Sequence, residues 1–134
     1  MPKIITSNLA GIPKLAKAAA KKIKGGEIFA LLGPLGAGKT AFVKAVGREL
    51  KTRHKITSPT FTLMHNFPAK LKTGKKLFIY HLDLYRIKNP AEAYRHLGLE
   101  EFLGRPDTVT FIEWADKIRR HLPAKTKFIK FLHQ

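Results

Sequence analysis

Gly33 and Gly38 are followed directly by Lys39 and Thr40 in the stretch GPLGAGKT, a full match to G-x-x-x-x-G-K-[ST]. These residue types at this spacing suit the binding of a phosphate chain. Glycines let the backbone curl until successive N–H groups point inward at an anion, the lysine ammonium reaches the β- and γ-phosphates, and the hydroxyl sits on a magnesium ion. The expected cradle is Gly33, Leu35, Gly36, Ala37 and Gly38, with Lys39 and Thr40 completing it. Two carboxylates fit the same chemistry. Asp83 ends the apolar run Leu77 to Leu82, and Glu113 ends the β-rich run Thr108 to Ile112. In open α/β sheets ligands collect at the carboxyl ends of strands, so both acids are expected at the phosphate-loop crevice. Ser58 and Thr60, ahead of another strand, stand where a segment sensing the γ-phosphate is often found. On local sequence alone such a hydroxyl pair ahead of a strand is more commonly only turn chemistry.

Positioning these groups requires strands that stop at the right level and helices that start there. Ile28 to Leu32 is a continuous apolar run of the kind that fills a buried parallel strand, and Phe42, Val43, Val46 and Leu50 recur at helical spacing behind the loop. Lys3 to Thr6 reads as an edge strand. Ser7 is the expected N-cap of a helix reaching Ile23, with Pro13 marking where its regular part begins and Gly25-Gly26 ending it. A strand begins near Thr60, and Pro68 to Lys76 is the expected hairpin connection to a central strand ending at Asp83. Pro90 to His96 and Leu99 to Leu103 read as short helices, Ala115 to Leu122 as a final helix, and Thr126 to Leu132 as a last strand. The expected fold is α/β, a phosphate-loop NTPase with a three-layer, mixed but mostly parallel sheet flanked by helices. Residues 1–134 are expected to form one domain.

Composition narrows the function classes. The chain has no cysteine, which excludes disulfides and thiolate metal sites. No charged segment leads into an apolar core at the start, and no apolar run approaches spanning length, so a soluble, unexported, cytoplasmic protein is expected. The 26 basic and 9 acidic residues leave a net charge of +17, a field that attracts polyanions. The bases fall in runs, Lys14 to Lys24, Lys51 to Lys55, Lys70 to Lys76 and Arg119 to Lys130. A solvated lysine surface accounts for them as well as a nucleic-acid face does, and aromatics are not interleaved with them along the chain as a stacking platform requires.

The ordered set GPLGAGKT, SPTFTL, HLDLYRI and FIEW resembles the bacterial TsaE (YjeE) family, from about Ser7 to Phe131. The resemblance implies a small ATPase of tRNA threonylcarbamoyladenosine biosynthesis that uses ATP and Mg2+ and works with TsaD- and TsaB-type subunits. It further implies that Thr40 and Glu113 hold magnesium, that Asp83 is the strand-end acid in hydrolysis, that Ser58 and Thr60 form the switch-like segment, and that Trp114 lies beside the nucleotide. The chain departs from the family pattern at Pro34, where aspartate is usual, at Ile12, near a usual threonine, and in the Ala91 to His96 segment. It also stops at Gln134, before the hairpin and extra strand often found in the family.

The chemistry expected is phosphoryl transfer to water, with Lys39 neutralising phosphate charge and Asp83 or Glu113 orienting the attacking water. It should be slow without partners, since Arg86 is the only arginine close to the motifs. A direct contact with tRNA would be weak and non-specific. Two other readings use the same residues. A small-molecule or nucleoside kinase would need an acceptor pocket and a lid. A basic nucleic-acid-binding module with a remnant phosphate loop would bind regardless of ATP.

Overall fold

A strand that is apolar at every position can be buried only if both faces of its sheet are covered. Ile28–Leu32, here β2, meets that condition in the computed structural model, which describes residues 4–34, 38–52, 64–85, 87–89 and 94–132. The other strands are β1 (Ile4–Ser7), β3 (Met64–Lys70), β4 (Lys76–Asp83), β5 (Thr108–Glu113) and β6 (Lys127–Phe131). They form one six-stranded sheet in the order β1-β6-β2-β5-β4-β3. Every neighbouring pair is parallel except β3 with β4, so the sheet is mixed and mostly parallel, as expected.

Alternate residues of β2 feed two separate cores. Phe29 and Leu31 join the side covered by α1 (Ile12–Lys22) and α2 (Lys39–Glu49). Ile28 and Ala30 join the other side, with Leu99 and Phe102 of the short helix α3 (Leu99–Phe102) and Ala115 and Ile118 beyond β5. β5 is buried at all six positions. β4 behaves differently along its length: its first half alternates between exposed and buried, and only its last three residues, His81 to Asp83, are buried in succession. The cover over one face therefore ends partway along β4.

Phe42 fastens the phosphate-loop helix to the sheet. It is fully buried, with ring centroids 6.2 Å from Phe29, 6.0 Å from Phe111 and 5.7 Å from Phe131. Phe29 and Phe111 stack at 5.1 Å across the β2–β5 pair. Such clusters combine large apolar burial with favourable ring geometry.

Several local expectations need correction. Ser7 does not cap the first helix, because pairing with Phe131 takes it into the sheet. Asn8 caps instead: its Oδ1 accepts the Gly11 N–H at 3.1 Å and opens a 3-10 turn at Leu9–Gly11, after which Pro13 sits in the first turn of α1. The hairpin connection is shorter than Pro68 to Lys76, since β3 continues to Lys70. An edge strand tolerates the donor that Pro68 lacks. The expected last helix is a 3-10 segment, Ala115–His121, kinked at Ile118. Its buried residues, Ala115 and Ile118, are three apart, which suits the three-residue period of a 3-10 turn. The expected strand start near Thr60 and residues 90–93 of the expected Pro90 to His96 helix lie outside the described residues.

Phe42→Ala should lower unfolding free energy by about 3–5 kcal/mol, measured by urea denaturation. A loss below about 1 kcal/mol would mean that the aromatic cluster does not hold α2 in place.

Candidate functional site

Side chains in phase with Leu77 and Ile79 on β4, and with Phe111 on β5, face the layer that contains α2. At the strand ends the same phase is taken by His81, Asp83 and Glu113. Asp83 and Glu113 are direct neighbours in the β4–β5 register, so parallel pairing delivers two carboxylates to one level. β2 runs parallel to β5 and leads into Gly33 at the same end of the sheet.

Gly33 has φ 131, and an added Cβ would lie 2.5 Å from the Phe131 carbonyl oxygen. Gly38, with φ 109, precedes α2 and leaves no room for a side chain against Ile12 and Leu9. Both positions combine left-handed backbone with close approach, which only glycine meets without strain. Ile12, where the family pattern expects a threonine nearby, thus serves as packing for the entrance to α2.

Lys39 is only 4% exposed. Its ammonium donates to the carbonyl oxygens of Gly33 and, at 3.4 Å, Pro34. The indole of Trp114 covers it, with Nζ 3.6 Å from the ring centroid, a distance at which the ring quadrupole attracts a cation. Burial pushes the Lys39 pKa below its ordinary value, and the charges of Glu113, Asp83 and Asp116 oppose that shift only in part. Trp114 itself adopts left-handed backbone at φ 60 and opens the 3-10 segment. That turn directs the chain away from the end of β5.

The Thr40 hydroxyl donates to Glu113 Oε2 at 2.7 Å. His81 Nε2 lies 2.5 Å from the same oxygen. His81 is fully buried, and its Nδ1 has no hydrogen-bonding partner among the described residues. The proton is therefore assigned to Nε2, where the carboxylate can accept it. Asp83 Oδ1 accepts the Tyr85 N–H at 3.0 Å, closing a turn just after β4. Lys117 secures the following residues by donating to the carbonyls of Tyr85 at 2.5 Å and Ile87 at 3.1 Å.

The structure thus gathers Gly33, Gly38, Lys39, Thr40, Glu113 and Trp114, with Asp83 beside Glu113. Leu35, Gly36, Ala37, Ser58, Thr60 and Arg86 lie outside the described residues. The sequence reading missed His81, although its phase on β4 marks it as a polar side chain in a row of buried apolar ones. As donors, Thr40 and Glu113 supply hard oxygens, suited to a magnesium ion that keeps waters and phosphate oxygens for its remaining ligands. No group of three or more His, Cys, Asp or Glu positioned to hold a metal occurs among the described residues.

A double-mutant cycle of His81→Phe and Glu113→Leu, followed by denaturant unfolding, should give a coupling of about 1.5–3 kcal/mol, typical of a hydrogen bond to a charged group. Additive effects would show that His81 does not support Glu113.

Comparison with known proteins places this geometry. The family model for threonylcarbamoyl adenosine biosynthesis protein TsaE matches residues 6–134. The tRNA threonylcarbamoyladenosine biosynthesis protein TsaE of Rickettsia felis is 38% identical over 120 residues, covering 89% of this chain and 66% of that protein. The protein of the same name from Bacillus subtilis is 36% identical over 109 residues, covering 81% of this chain and 63% of the relative. The crystal structure of Bacillus subtilis YdiB superposes with a TM-score of 0.63 at 32% identity, covering 87% of this chain and 66% of that one. The chain therefore spans slightly under two thirds of the length of these relatives. The fold is that of a phosphate-loop NTPase, and with the family model matched over nearly its whole length, the chain belongs to the TsaE family of threonylcarbamoyl adenosine biosynthesis proteins.

Proposed function

We propose that this chain is an ATPase domain that binds and hydrolyses ATP with Mg2+ as an accessory to tRNA threonylcarbamoyladenosine formation. It would act in the cytoplasm, where tRNA is modified, beside TsaD- and TsaB-type subunits. The observation that carries this reading is the convergence of Lys39, Thr40 and Glu113 at the start of α2.

In this reading the backbone from Gly33 to Gly38 and the Lys39 ammonium bind the β- and γ-phosphates. Lys39 exchanges the loop carbonyls for phosphate oxygens, a stronger, charge-assisted partner. Trp114 keeps water from one side of that ammonium. Thr40 and Glu113 would hold magnesium, which when bound neutralises phosphate charge. His81 positions Glu113 by its hydrogen bond. Ser58 and Thr60 form the segment that senses the γ-phosphate. Asp83 orients a water for attack on the γ-phosphorus: the new P–O bond forms as the bond to the β–γ bridging oxygen breaks, ADP departs, and the water's proton passes to Asp83 or the released phosphate. The Tyr85 N–H, held by Asp83 Oδ1, fixes the carboxylate and leaves its other oxygen for the water; turnover in isolation is slow, and partner subunits speed it.

Lys39→Ala should abolish measurable ATP binding by calorimetry, with each lost charge-assisted contact costing about 1.5–3 kcal/mol. Asp83→Asn and Glu113→Gln should keep the fold and lower partner-stimulated hydrolysis by about 10²-fold. Parental turnover in both acid variants would remove the carboxylates from the mechanism.

The depressed Lys39 pKa gives two pH trends of opposite sign. Phosphate needs the ammonium, so ATP affinity should fall as pH rises through the Lys39 value, earlier than for an ordinary lysine. Between the folded and unfolded pKa values the unfolded chain holds a proton that the folded chain has released. Stability of the nucleotide-free protein therefore rises with pH across that window. Melting curves from about pH 7 to about pH 10 should show a rise that Lys39→Met flattens. A rise of equal size in Lys39→Met would assign it to other groups.

A further inference from the structure

The parallel sheet has a second end, opposite the phosphate loop, and lysines crowd it. Lys17 and Lys21 of α1, Lys24 just beyond it, and Lys72 and Lys75 of the hairpin connection line a cleft of about 640 Å³. Its floor is apolar, from Ala20, Ile23, Leu50 and Leu71, and Glu49 is the one acid in its wall. Lys75 Nζ donates to the Lys24 carbonyl at 2.9 Å, fastening the hairpin to the end of α1. Lys14, Lys17 and Lys21 recur at helical spacing, so an exposed lysine stripe runs along α1 into the cleft.

The other side of the same hairpin carries a second hollow of about 390 Å³, lined by Lys51, Lys70 and Lys76 with Pro68 and Phe78. Lys70 and Lys76 are directly opposite in the β3–β4 register, a like-charge pairing that is unfavourable by itself. Lys51 closes α2 in left-handed backbone, φ 54, where glycine would carry no strain. Phe78 is 46% exposed, one of the few large apolar side chains so open. Both hollows concentrate cations with almost no acid to balance them. A polyanion relieves that repulsion. Phe78 additionally offers a flat apolar face in a hollow that three lysines line, the combination that holds single-stranded nucleic acid.

We propose that this end of the molecule is a binding surface for the sugar–phosphate backbone of RNA, distinct from the ATP site. The two are far apart: β4 runs eight residues from Lys76 to Asp83, about 23 Å at strand rise. Phosphates engage the lysine cleft, and an unpaired base stacks on Phe78. The proposal rests on the tRNA-linked reading above only for choosing RNA over other polyanions.

The test is filter binding of tRNA to the full chain over a salt series from about 50 to 300 mM, with ATP affinity measured on every variant. The parent should bind with a steep negative slope of log affinity against log salt. Lys17→Ala/Lys21→Ala/Lys72→Ala should lose about two units of slope and at least about tenfold in affinity at low salt, with ATP affinity unchanged. Lys44→Ala/Lys88→Ala/Lys130→Ala removes the same charge from exposed positions elsewhere and should leave the slope nearly intact. Phe78→Ala should weaken binding about tenfold without changing the slope. Lys39→Ala should lose ATP and keep RNA, so failure of the ATPase reading and failure of this one are separable. Absent or salt-independent tRNA binding by a parent that still binds ATP, or equal losses in the two triple variants, overturns the proposal.

Discussion

An ammonium group taken out of water must find acceptors for its N–H groups at once, and the site end of this protein is built around that requirement. Lys39 is buried at the first turn of α2, where the positive pole of the helix adds to the penalty of burial. The carbonyls of Gly33 and Pro34 and the face of Trp114 supply close partners, and the carboxylates of Glu113 and Asp83 supply opposing charge. These groups come from the ends of three strands, β2, β4 and β5, so the lysine can be accommodated only once the sheet has formed in register. The remaining shift in its pKa shows that the compensation is partial. Burial outweighs three nearby carboxylates, so an oxygen anion in direct contact would relieve a cost that charges at a distance leave standing.

Parallel pairing achieves this economically. Strands that run in the same direction end at the same level, so one register decides that Asp83 meets Glu113 and that both meet the loop after β2. Phe42, wedged among Phe29, Phe111 and Phe131, holds α2 at the height where Thr40 reaches Glu113. His81 adds a hydrogen bond from the layer beneath, using a ring whose second nitrogen is buried without a partner among the described residues. Such an arrangement sacrifices some stability to hold one carboxylate still, a common trade at functional sites.

Charge is divided between the two ends of the sheet. The acids Asp83, Glu113 and Asp116 gather around Lys39 at the carboxyl ends of the parallel strands, whereas the hairpin end gathers lysines from α1, the end of α2 and the β3–β4 connection. The separation matters because a field of +17 would otherwise draw any polyanion indiscriminately. In the reading proposed above, a nucleotide and a long phosphate backbone meet different surfaces.

The sequence by itself determined the phosphate loop, the α/β class and the mixed, mostly parallel sheet, because these rest on local information. Glycine spacing, an unbroken apolar strand and a helical apolar stripe are each contained within a few consecutive residues. Asp83 and Glu113 were legible for the same reason, as acids closing β-rich runs. The role of His81 was not, since a histidine within an apolar strand gains meaning only from the carboxylate that a neighbouring strand brings to it. The shift of the cap from Ser7 to Asn8 followed from pairing with Phe131, a partner more than a hundred residues away. The extension of β3 through Pro68 depended on its being at the edge of the sheet. Three of the lysine runs, separate along the chain and lacking interleaved aromatics, came to line two hollows at one end of the sheet, Phe78 in one of them, only when α1, the end of α2 and the β3–β4 hairpin were packed together. Chain order encodes periodicity and turn chemistry; which distant charges share a cleft is decided by sheet order and register.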